Sequence, residues 1–521
     1  MSNWNKYYFL VIDTMRPIKN KFVLLFSPHS EKGGLRLVSI SLLAAASFIE
    51  KDYDVRIFQS YDKKDYLEAL EHLDRAICVG ISAMTGYQIT DALIFAKLVR
   101  SKNSRIPIVW GGVHGTINPA QTAQSPFVDI VVKGQGEETF AELVRALDQG
   151  KPIDKILGIT YKKEGRVINN PDRPYKSINE FPPIPYHVLG DTINKYIKKN
   201  AYADRNLIYL TSAGCPFRCR FCYLGNPSFE RAYDPYPAER VIREVKKLVE
   251  NYHITGIEMR DSNFFVNEKR CRDIFLGLIK EGIKLKISVL NGRVDQLANF
   301  DDSFWELMSR IGVAQLLVGA ESGDQEMLDY VDKKIRVEDI IECEKKARKI
   351  GITITNSFMT GFPIKKENLA APNKQLKKEL NSTIDLIIRL LKINPLDDIH
   401  VFFYTPYPGS YLYEESIKAG FKEPQSLEEW GEINLHAVTV PWVTNAHKKK
   451  VLFLRQLLLL KKLSCGEYFD KKAGTSKKIY WLKKIKINKI LEKFIDFRLH
   501  FKFFYFPVEK LIFSSIKLLK E

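Results

Sequence analysis

Residues 207–223 read Leu-Ile-Tyr-Leu-Thr-Ser-Ala-Gly-Cys215-Pro-Phe-Arg-Cys219-Arg-Phe-Cys222-Tyr223. A short apolar run bounded by turn residues predicts a buried strand. The three cysteines, spaced Cys-x3-Cys-x2-Cys, would lie in the loop at the carboxyl end of that strand. The chain has 521 residues and 7 cysteines, too few for a disulfide framework. Three of them within eight residues therefore indicate a metal site.

The segment after this loop alternates strands and helices up to about residue 440. Six apolar runs have strand length: 207–211, 256–259, 285–289, 314–318, 352–358 and 400–404. Helical stretches fall between them, at 238–250, 270–281 and 337–349. About six strand–helix units predict a partial (β/α)6 barrel of the TIM type, with an active site at the carboxyl ends of its strands. We interpret the polar segment 365–382 as a surface excursion.

Residues 20–150 show the same alternation and predict an α/β, doubly wound, Rossmann-like parallel sheet. Such sheets bind ligands outside the carboxyl ends of their strands, here the loops 28–34, 83–86, 111–116 and 133–136. Residues 151–200 read as a connector with a small hairpin and a proline-rich stretch at 181–185. The predicted domains are thus 20–150, the connector 151–200, the barrel 201–445 and a basic, aromatic, helical tail 446–521.

The chemistry of the cysteine loop follows from its thiolates, which are the usual ligands of iron–sulfur clusters. Three of them can hold three irons of a four-iron cube, which leaves the fourth iron an open position for chemistry. Arg218 and Arg220 would place positive charge beside this anionic cluster. The alternative is a structural zinc knot or three packed thiols. Zinc requires a fourth ligand nearby, and the nearest cysteine and histidine that follow are Cys271 and His253.

The remaining cysteines are Cys78, Cys271, Cys343 and Cys465. They lie in apolar or helical surroundings, and we interpret them as small buried hydrophobes and not as ligands.

The cysteine loop, its strand and the repeating units resemble the radical S-adenosylmethionine superfamily. The resemblance implies that Cys215, Cys219 and Cys222 ligate a [4Fe-4S] cluster and form the catalytic centre. The open iron would chelate the methionine amino and carboxylate groups, and reductive cleavage would yield a 5′-deoxyadenosyl radical. Phe221 matches the aromatic residue that precedes the third cysteine in relatives, and it would shield the cofactors together with Tyr223.

Further matches follow the later barrel strands, and each places polar groups at a strand end. They are the segments Arg260-Asp261-Ser-Asn263, Gly319-Ala-Glu321-Ser322-Gly323 and Gly361-Phe-Pro363, and the single residues Arg293 and Asn356. The resemblance implies that the cofactor-binding residues here are Asp261, Arg293, Glu321, Ser322, Asn356 and Gly361. The alternative for each of them is a solvated loop.

The front domain, followed by such a barrel, resembles the cobalamin-binding radical enzymes. The resembling segments are Trp110-Gly-Gly-Val-His114, Lys133-Gly-Gln-Gly-Glu137 and Gly33-Gly34-Leu35, although relatives often carry an acid where this chain has Gln135. The residues implied to contact cobalamin are Gly111, Gly112, His114, Gly134, Gly136 and Glu137. The alternative is a doubly wound module that binds nothing or another nucleotide; the first strand is not followed by Gly-x-Gly-x-x-Gly, and there is no phosphate loop.

His29 is the candidate axial ligand of cobalt. One family of cobalamin domains supplies a histidine through Asp-x-His-x-x-Gly, and here the loop reads Ser27-Pro-His29, with Gly33 one residue late and the Asp absent. Neutral imidazole is a common metal ligand. The alternative is an empty or water-filled lower face.

Three functions remain open at this point. The first is a cobalamin-dependent methyltransferase that acts on an unactivated carbon or phosphorus of a small-molecule or lipid substrate. The second is an oxidative cyclase or ring-rearranging enzyme built from the same modules. The third is a cobalamin or iron–sulfur sensor without turnover. Either enzyme would need an external one-electron reductant of the flavodoxin or ferredoxin type.

The net charge of +18 is concentrated in the tail, where residues 446–521 hold 20 Lys or Arg and 6 Asp or Glu. An amphipathic basic tail can contact an anionic membrane peripherally, and the alternative is a helical cap with a solvated basic face. Nucleic acid is not an expected partner, because no binding module is recognisable. No secretory signal or membrane span is evident, so we expect a cytoplasmic protein. Of the two interpretations of the tail we favour the helical cap, and peripheral membrane contact stays the alternative.

Overall fold

The computed structural model describes residues 21–29, 37–60, 63–225, 233–363, 372–433, 440–464 and 488–504. Contacts divide the chain into two units. The first comprises Met1–Pro174, Pro182–Ile193 and Gln425–Glu432, and the second Tyr175–Phe181, Asn194–Pro424 and Ile433–Glu521. The domain boundaries expected from the sequence stay predictions.

The first unit contains a seven-stranded sheet in the order β2-β1-β3-β4-β5-β6-β7. Its strands are β1 Phe22–Ser27, β2 Asp54–Gln59, β3 Ala76–Ser82, β4 Ile108–Gly111, β5 Ile130–Val132, β6 Ile159–Lys163 and β7 Arg166–Asn169. The first five are parallel, as predicted, and apolar runs such as 22–26 are buried because helices cover both faces. The hairpin expected within the connector extends this sheet, since β6 pairs antiparallel with β5 and β7 pairs antiparallel with β6.

The helices of the first unit follow its strands and close its core. They are α1 Ile40–Ala46, α2 Lys63–Leu70, α3 Tyr87–Lys102, α4 Gly112–Ile117, α5 Pro119–Gln124, α6 Gly136–Asp148 and, from the returning segment, α15 Leu427–Glu432. α1 ends at Ala46, and residues 47–50 form turns. α15 packs on α3, and Trp430 is fully buried there.

The second unit continues with parallel strands in two sheets, ordered β12-β11-β8 and β13-β14-β15-β16. Its strands are β8 Asn206–Tyr209, β9 Ser212–Ala213, β10 Asp234–Pro235, β11 Gly256–Met259, β12 Lys286–Ser288, β13 Leu290–Gly292, β14 Gln315–Glu321, β15 Thr353–Thr360 and β16 Asp398–Phe403. All six predicted strands are present. β12 and β13 are separated only by Val289, whose φ of 53° interrupts the strand. The predicted α/β fold class is confirmed.

Helices connect these strands and form an outer layer. They are α7 Ala238–Tyr252, α8 Glu268–Lys280, α9 Val294–Asn299, α10 Asp302–Ile311, α11 Gln325–Tyr330, α12 Val337–Lys349, α13 Pro372–Ile393 and α14 Tyr411–Lys418. The interpretation of 365–382 as a surface excursion is wrong from residue 372 onward. α13 buries Leu376 and Leu380, because its apolar residues fall on one face. Glu379 is also buried, where it accepts a hydrogen bond from the Gly361 backbone N–H.

The described part of the tail consists of α16 Asn445–Ser464 and a second helix, α17 Asn488–His500. The two helices pack together, and Lys461 pairs with Glu492 at 2.9 Å and with Asp496 at 2.8 Å. Within the residues described, no helix has the length and apolar character needed to cross a membrane. Residues 465–487 and 505–521 lie outside the described residues, and both interpretations of the tail stay predictions.

A buried pair of acids joins α12 to the segment before β16. The carboxyl groups of Glu344 and Asp397 are hydrogen-bonded to each other. Asn394 Nδ2 donates to both of them, at 3.3 Å and 2.8 Å, and the Ile354 backbone N–H donates to Asp397 at 2.8 Å. Burial raises the pKa of Glu344 and raises that of Asp397 well above its ordinary value. Two carboxylates this close cannot both ionise cheaply, so the pair holds a proton.

This pair makes a pH-dependent contribution to stability. A folded-state pKa that is raised gives stability below the unfolded pKa, and that stability is lost as pH rises through the folded pKa. We expect Asp397→Asn to reduce the fall in the free energy of unfolding between about pH 5 and about pH 8, by roughly 1.4 kcal/mol for each unit of pKa shift removed. Urea denaturation at the two pH values measures it. Glu342→Gln, an exposed change on α12, serves as the control, and equal slopes for both variants would contradict the assignment.

Candidate active site

The cysteine loop of the second unit follows the carboxyl end of β8, as predicted. β9 pairs antiparallel with β10 directly before the cysteines, and Gly214 adopts a φ of 76° at the turn. Asp261, which follows β11, is fully buried and holds the start of this loop. One of its carboxylate oxygens accepts from the Thr211 backbone N–H at 2.9 Å, from the Thr211 hydroxyl at 2.9 Å and from the Ser212 hydroxyl at 2.6 Å.

Arg270 on α8 completes this anchor from the other side. Its Nη2 donates to the Thr211 carbonyl at 2.8 Å, and its Nε donates to the Tyr236 carbonyl at 2.7 Å. Burial raises the pKa of Asp261, while the Ser212 and Thr211 hydrogen bonds and the charge of Arg270 oppose that rise. Asp261 therefore acts on the cysteine loop by fixing the backbone that leads into it.

The three cysteines lie together in the loop. Cys219 is buried, Cys215 and Cys222 are partly exposed, and the Cys222 backbone N–H donates to the Cys219 carbonyl at 3.0 Å. Burial raises the pKa of the Cys215 thiol and raises that of Cys222 to about 11. Without a metal these two thiols hold their protons at neutral pH, so that binding of iron releases protons.

The positive charge near these sulfurs does not come from the arginines that the sequence pointed to. Arg218 is exposed, and Arg220 is directed away, with Nη1 donating to the Tyr330 carbonyl at 2.9 Å and Nη2 pairing with Glu415. Instead, Arg293 follows β13 and donates from Nη1 to Cys219 Sγ at 3.8 Å. Arg220 is thus engaged by Glu415 and the Tyr330 carbonyl, and Arg218 stays in solvent.

Lys333 supplies a second buried positive charge, and sequence reasoning missed it because it lies in no recognisable motif. Its ammonium is 2.8 Å from Glu321 Oε1 and 5.8 Å from the Phe221 ring centroid. Burial lowers the pKa of Lys333, but Glu321 and the Cys219 sulfur more than offset this, and its pKa is raised overall. Gly319 leaves room for this pair, because a Cβ there would lie 2.1 Å from Glu321 Oε1.

The loop after β14 carries Glu321 and Ser322 and is fixed by α13. Glu321 adopts a φ of 57°, which is uncommon for a residue with a side chain, and Ser322 is fully buried. The Gly323 backbone N–H donates to the Thr383 hydroxyl on α13 at 3.0 Å. The loop thus holds an acid and a hydroxyl at a strand end, and a contact of either residue with a cofactor stays a prediction.

Glu379 lies one turn before Thr383 on α13 and fixes the loop after β15. Its Oε1 accepts from the Gly361 backbone N–H at 3.1 Å, and the Gly361 carbonyl accepts from the Trp442 indole N–H at 3.0 Å. Burial raises the pKa of Glu379 to about 8. No motif marks Glu379, because it lies in the polar segment whose composition predicts a surface excursion.

Two predicted aromatic residues flank the cysteines, and one predicted polar residue does not. The Phe221 ring lies 6.3 Å from the Phe362 ring, and Tyr223 follows Cys222 in a short 3₁₀ turn. Asn356 Nδ2 instead donates to Glu344 on α12 at 3.2 Å. Its amide is thus engaged by the outer helix layer, and a contact of that amide with a cofactor stays a prediction.

The donor set fits an iron–sulfur cube. A cube binds each thiolate to a different iron, so three sulfurs in one loop suffice and need not converge on one ion. Among the described residues, no three His, Cys, Asp or Glu side chains converge on a site for a single ion. The buried cations Arg293 and Lys333 suit an anionic cluster, and Phe217 and Phe221 border it with apolar surface.

The first unit offers a separate site at the carboxyl ends of its strands. Its parallel strands lie in the order β2-β1-β3-β4-β5. Strand β2 is added on one side of β1 and the later strands on the other side, so the strand order reverses between β1 and β3. Such sheets bind ligands at this point. His29, after β1, is buried, and its backbone N–H donates to Asp91 at 2.7 Å. Gly112 lets the β4 loop approach β3, because its φ is +87° and a Cβ would lie 2.8 Å from the Ala83 carbonyl oxygen.

The other predicted residues of this unit fall at the same edge. Gly111 ends β4, Gly136 and Glu137 begin α6, and Gly134 has no atom within 4 Å of where a Cβ would stand. This opening beside glycine backbone suits a flat ring. That cobalamin touches these residues stays a prediction.

His114 lies in α4 but is completely enclosed. Its Nδ1 is 2.9 Å from the Thr85 hydroxyl, its ring meets Trp430 edge-on at 5.5 Å, and Trp430 donates to Gln121 at 2.6 Å. Burial lowers the pKa of His114 to about 4, so the imidazole is neutral. These contacts give His114 a structural role in packing; a contact with cofactor stays a prediction.

Comparison with protein families finds two matches in this chain. The model of the Radical SAM superfamily matches residues 209–370, and the model of the B12 binding domain matches residues 32–144. The first match contains the cysteine loop and the strand-end loops up to Gly361, and the second contains the glycine loops of the first unit.

Individual relatives cover most of the chain. An uncharacterized methyltransferase of Pyrococcus horikoshii is 32% identical over 406 residues, which are 76% of this chain and 83% of the relative. The anaerobic magnesium-protoporphyrin IX monomethyl ester cyclase of Rubrivivax gelatinosus is 27% identical over 348 residues, 65% of this chain and 58% of the cyclase. The structure of the cobalamin-dependent S-adenosylmethionine radical enzyme OxsB matches with a TM-score of 0.70 and 16% identity, over 96% of this chain and 75% of OxsB.

Asp261→Ala tests the anchor of the cysteine loop. The substitution leaves three donors of Thr211 and Ser212 without their acceptor in a buried site, at roughly 1–3 kcal/mol for each unsatisfied group. We expect a lower free energy of unfolding and less iron bound per chain after anaerobic reconstitution. Asp261→Asn keeps an acceptor oxygen and is the matched control. Full iron content in Asp261→Ala would show that the loop does not depend on this carboxylate.

Proposed function

Since the chain belongs to the radical S-adenosylmethionine enzymes that carry a B12-binding domain, we propose that it transfers a methyl group to an unactivated carbon or phosphorus of a small-molecule substrate. The cofactors of this family of enzymes are a [4Fe-4S] cluster, S-adenosylmethionine and cobalamin. The observation that carries the proposal is the presence of the cysteine loop and the B12-binding domain in one chain. The Pyrococcus relative, named a methyltransferase, supports it.

When bound, the cluster with S-adenosylmethionine supplies a 5′-deoxyadenosyl radical, and cobalamin supplies a transferable methyl group. Cys215, Cys219 and Cys222 would hold the cluster through their thiolates. Asp261 and Arg270 keep the loop in place through the Thr211 backbone. Their contribution is preorganisation, since ligand atoms held in place need not reorganise during the reaction.

Glu321, Ser322 and Gly361 would contact S-adenosylmethionine at the strand ends. The Glu321 carboxylate accepts a hydrogen bond from the Lys333 ammonium. A carboxylate can accept further hydrogen bonds from ammonium or hydroxyl groups. Phe221, with Phe362 beside it, would place apolar surface against the bound cofactors and so limit the access of water. Exclusion of water protects a reactive radical from side reactions.

A second function is favoured by one specific observation. The Rubrivivax relative is a cyclase and matches 65% of this chain, so an oxidative cyclisation or ring rearrangement on the same cofactors is the alternative proposal. The hypothesis of a sensor without turnover is set aside, because the matched relatives are named a methyltransferase and a cyclase. We further propose that the electron for the cluster comes from a flavodoxin or a ferredoxin.

Incubation of the reconstituted enzyme with methyl-labelled S-adenosylmethionine, cobalamin, a low-potential reductant and metabolites from neighbouring genes distinguishes the two functions. We expect 5′-deoxyadenosine together with a product that carries the label and has gained one methylene in mass. A product that has lost hydrogens and carries no label would replace methyl transfer with cyclisation.

Cys219→Ala provides the control for this experiment, since it removes one ligand of the cluster. We expect loss of both 5′-deoxyadenosine and labelled product, by a factor of at least about 10³. Cys271→Ala, a change at a buried cysteine outside the loop, should retain both products. If Cys219→Ala still formed the labelled product, the transfer would not depend on the cluster.

A further inference from the structure

Arg293 is held so that one arm of its guanidinium reaches a cluster ligand. The side chain is buried, its Nη1 donates to Cys219 Sγ at 3.8 Å, and its Cζ lies 3.8 Å from the centroid of the Phe217 ring. Cys219 is the most buried of the three thiols. Within the described part of the chain, no comparable side-chain donor contacts the sulfur of Cys215 or Cys222.

The other arms of the guanidinium are fixed by separate partners. Nε donates to Asp295 Oδ1 at 3.0 Å, and Nη2 donates to Asp295 Oδ2 at 3.3 Å and to the Lys333 carbonyl at 2.5 Å. Asp295 and the carbonyl therefore set the plane of the fork, and the stacking on Phe217 limits its tilt. The Nη1 arm is left directed at the sulfur, with the compensating carboxylate on the opposite side of the guanidinium.

We propose that Arg293 is a positioning residue that sets the reduction potential of the iron–sulfur cluster through Cys219. Hydrogen bonds to ligand sulfurs and nearby charge are among the terms that fix such potentials. Reduction adds one electron to the cluster and thus one negative charge beside the buried cation. Burial strengthens this interaction, since little water screens it. The cation therefore favours the reduced state.

The step balances without any change at Arg293. One electron passes from an external one-electron reductant, of the flavodoxin or ferredoxin type, to the iron core. The reductant is oxidised by one electron, the guanidinium keeps all its protons, and no bond forms or breaks. A higher cluster potential allows a weaker reductant to supply the electron.

A redox titration of the reconstituted full-length protein, followed by electron paramagnetic resonance without S-adenosylmethionine or substrate, measures this potential. We expect Arg293→Gln to lower the ratio of reduced to oxidised cluster at fixed potential by about tenfold, which is a shift of about 59 mV to lower potential for a one-electron couple. Arg293→Lys keeps the charge but loses the fork, and we expect a smaller shift in the same direction.

Arg218→Gln is the matched control, because it removes the same charge from an exposed residue next to Cys219 in sequence. We expect no measurable shift, since water screens an exposed charge. A shift in Arg218→Gln equal to that of Arg293→Gln would reduce the effect to net charge and overturn the role of the hydrogen bond. An unchanged potential in Arg293→Gln with full iron content would overturn the proposal outright.

Asp295→Asn keeps the proposal testable if Arg293→Gln fails to bind iron. The substitution removes the carboxylate charge but keeps an oxygen that can accept a hydrogen bond from Nε. The guanidinium then stays in place, and its positive charge is no longer offset by the negative charge of Asp295. We expect a shift to higher potential, opposite in sign to that of Arg293→Gln. An unchanged or lower potential would overturn the proposal. These readouts need no methyl transfer, and their outcome is therefore separate from that of the proposed function.

Discussion

The carboxylate of Asp261 is the contact on which the catalytic part of the chain depends. It gathers the backbone and hydroxyl donors of Thr211 and Ser212 at the point where β8 ends and the cysteine loop begins. Cysteines on a free loop would pay the conformational entropy of ordering when the cluster forms. The Asp261 anchor orders the loop during folding, before a cluster binds. The charges of Arg293 and Lys333 therefore lie near sulfurs whose positions are already defined.

α13 has a comparable role for the strand-end loops that follow. Thr383 and Glu379 lie one turn apart and therefore on the same face, and they accept the backbone N–H groups of Gly323 and Gly361. One rigid helix thus fixes the loop after β14 and the loop after β15 together. A displacement of α13 would move both loops, so that their spacing is a property of the helix and not of the loops.

Features that depend on neighbouring residues, such as strands and the cysteine loop, could be predicted from the sequence. Contacts between residues far apart in the sequence could not. The strands and the cysteine loop follow from runs of apolar residues and one spacing, and they lie within a few residues of their predicted positions. Lys333 and Glu379 lie in no recognisable motif, and the contacts of α13 with the strand-end loops have no local signature, because the partners are brought together only by the fold. Arg218 was assigned by proximity in sequence, whereas Arg293 reaches Cys219 from 74 residues away.

The return of the chain to the first unit has a consequence for how that unit is made. Gln425–Glu432 belongs to it, and Trp430 is fully buried there, with a hydrogen bond to Gln121 across 309 positions of sequence. During biosynthesis the packing of the amino-terminal unit cannot be completed until the ribosome has added the whole catalytic segment, because the site that Trp430 occupies stays unfilled until then. Excision of residues 1–200 as a free-standing fragment would likewise expose apolar surface that the intact protein never shows to water.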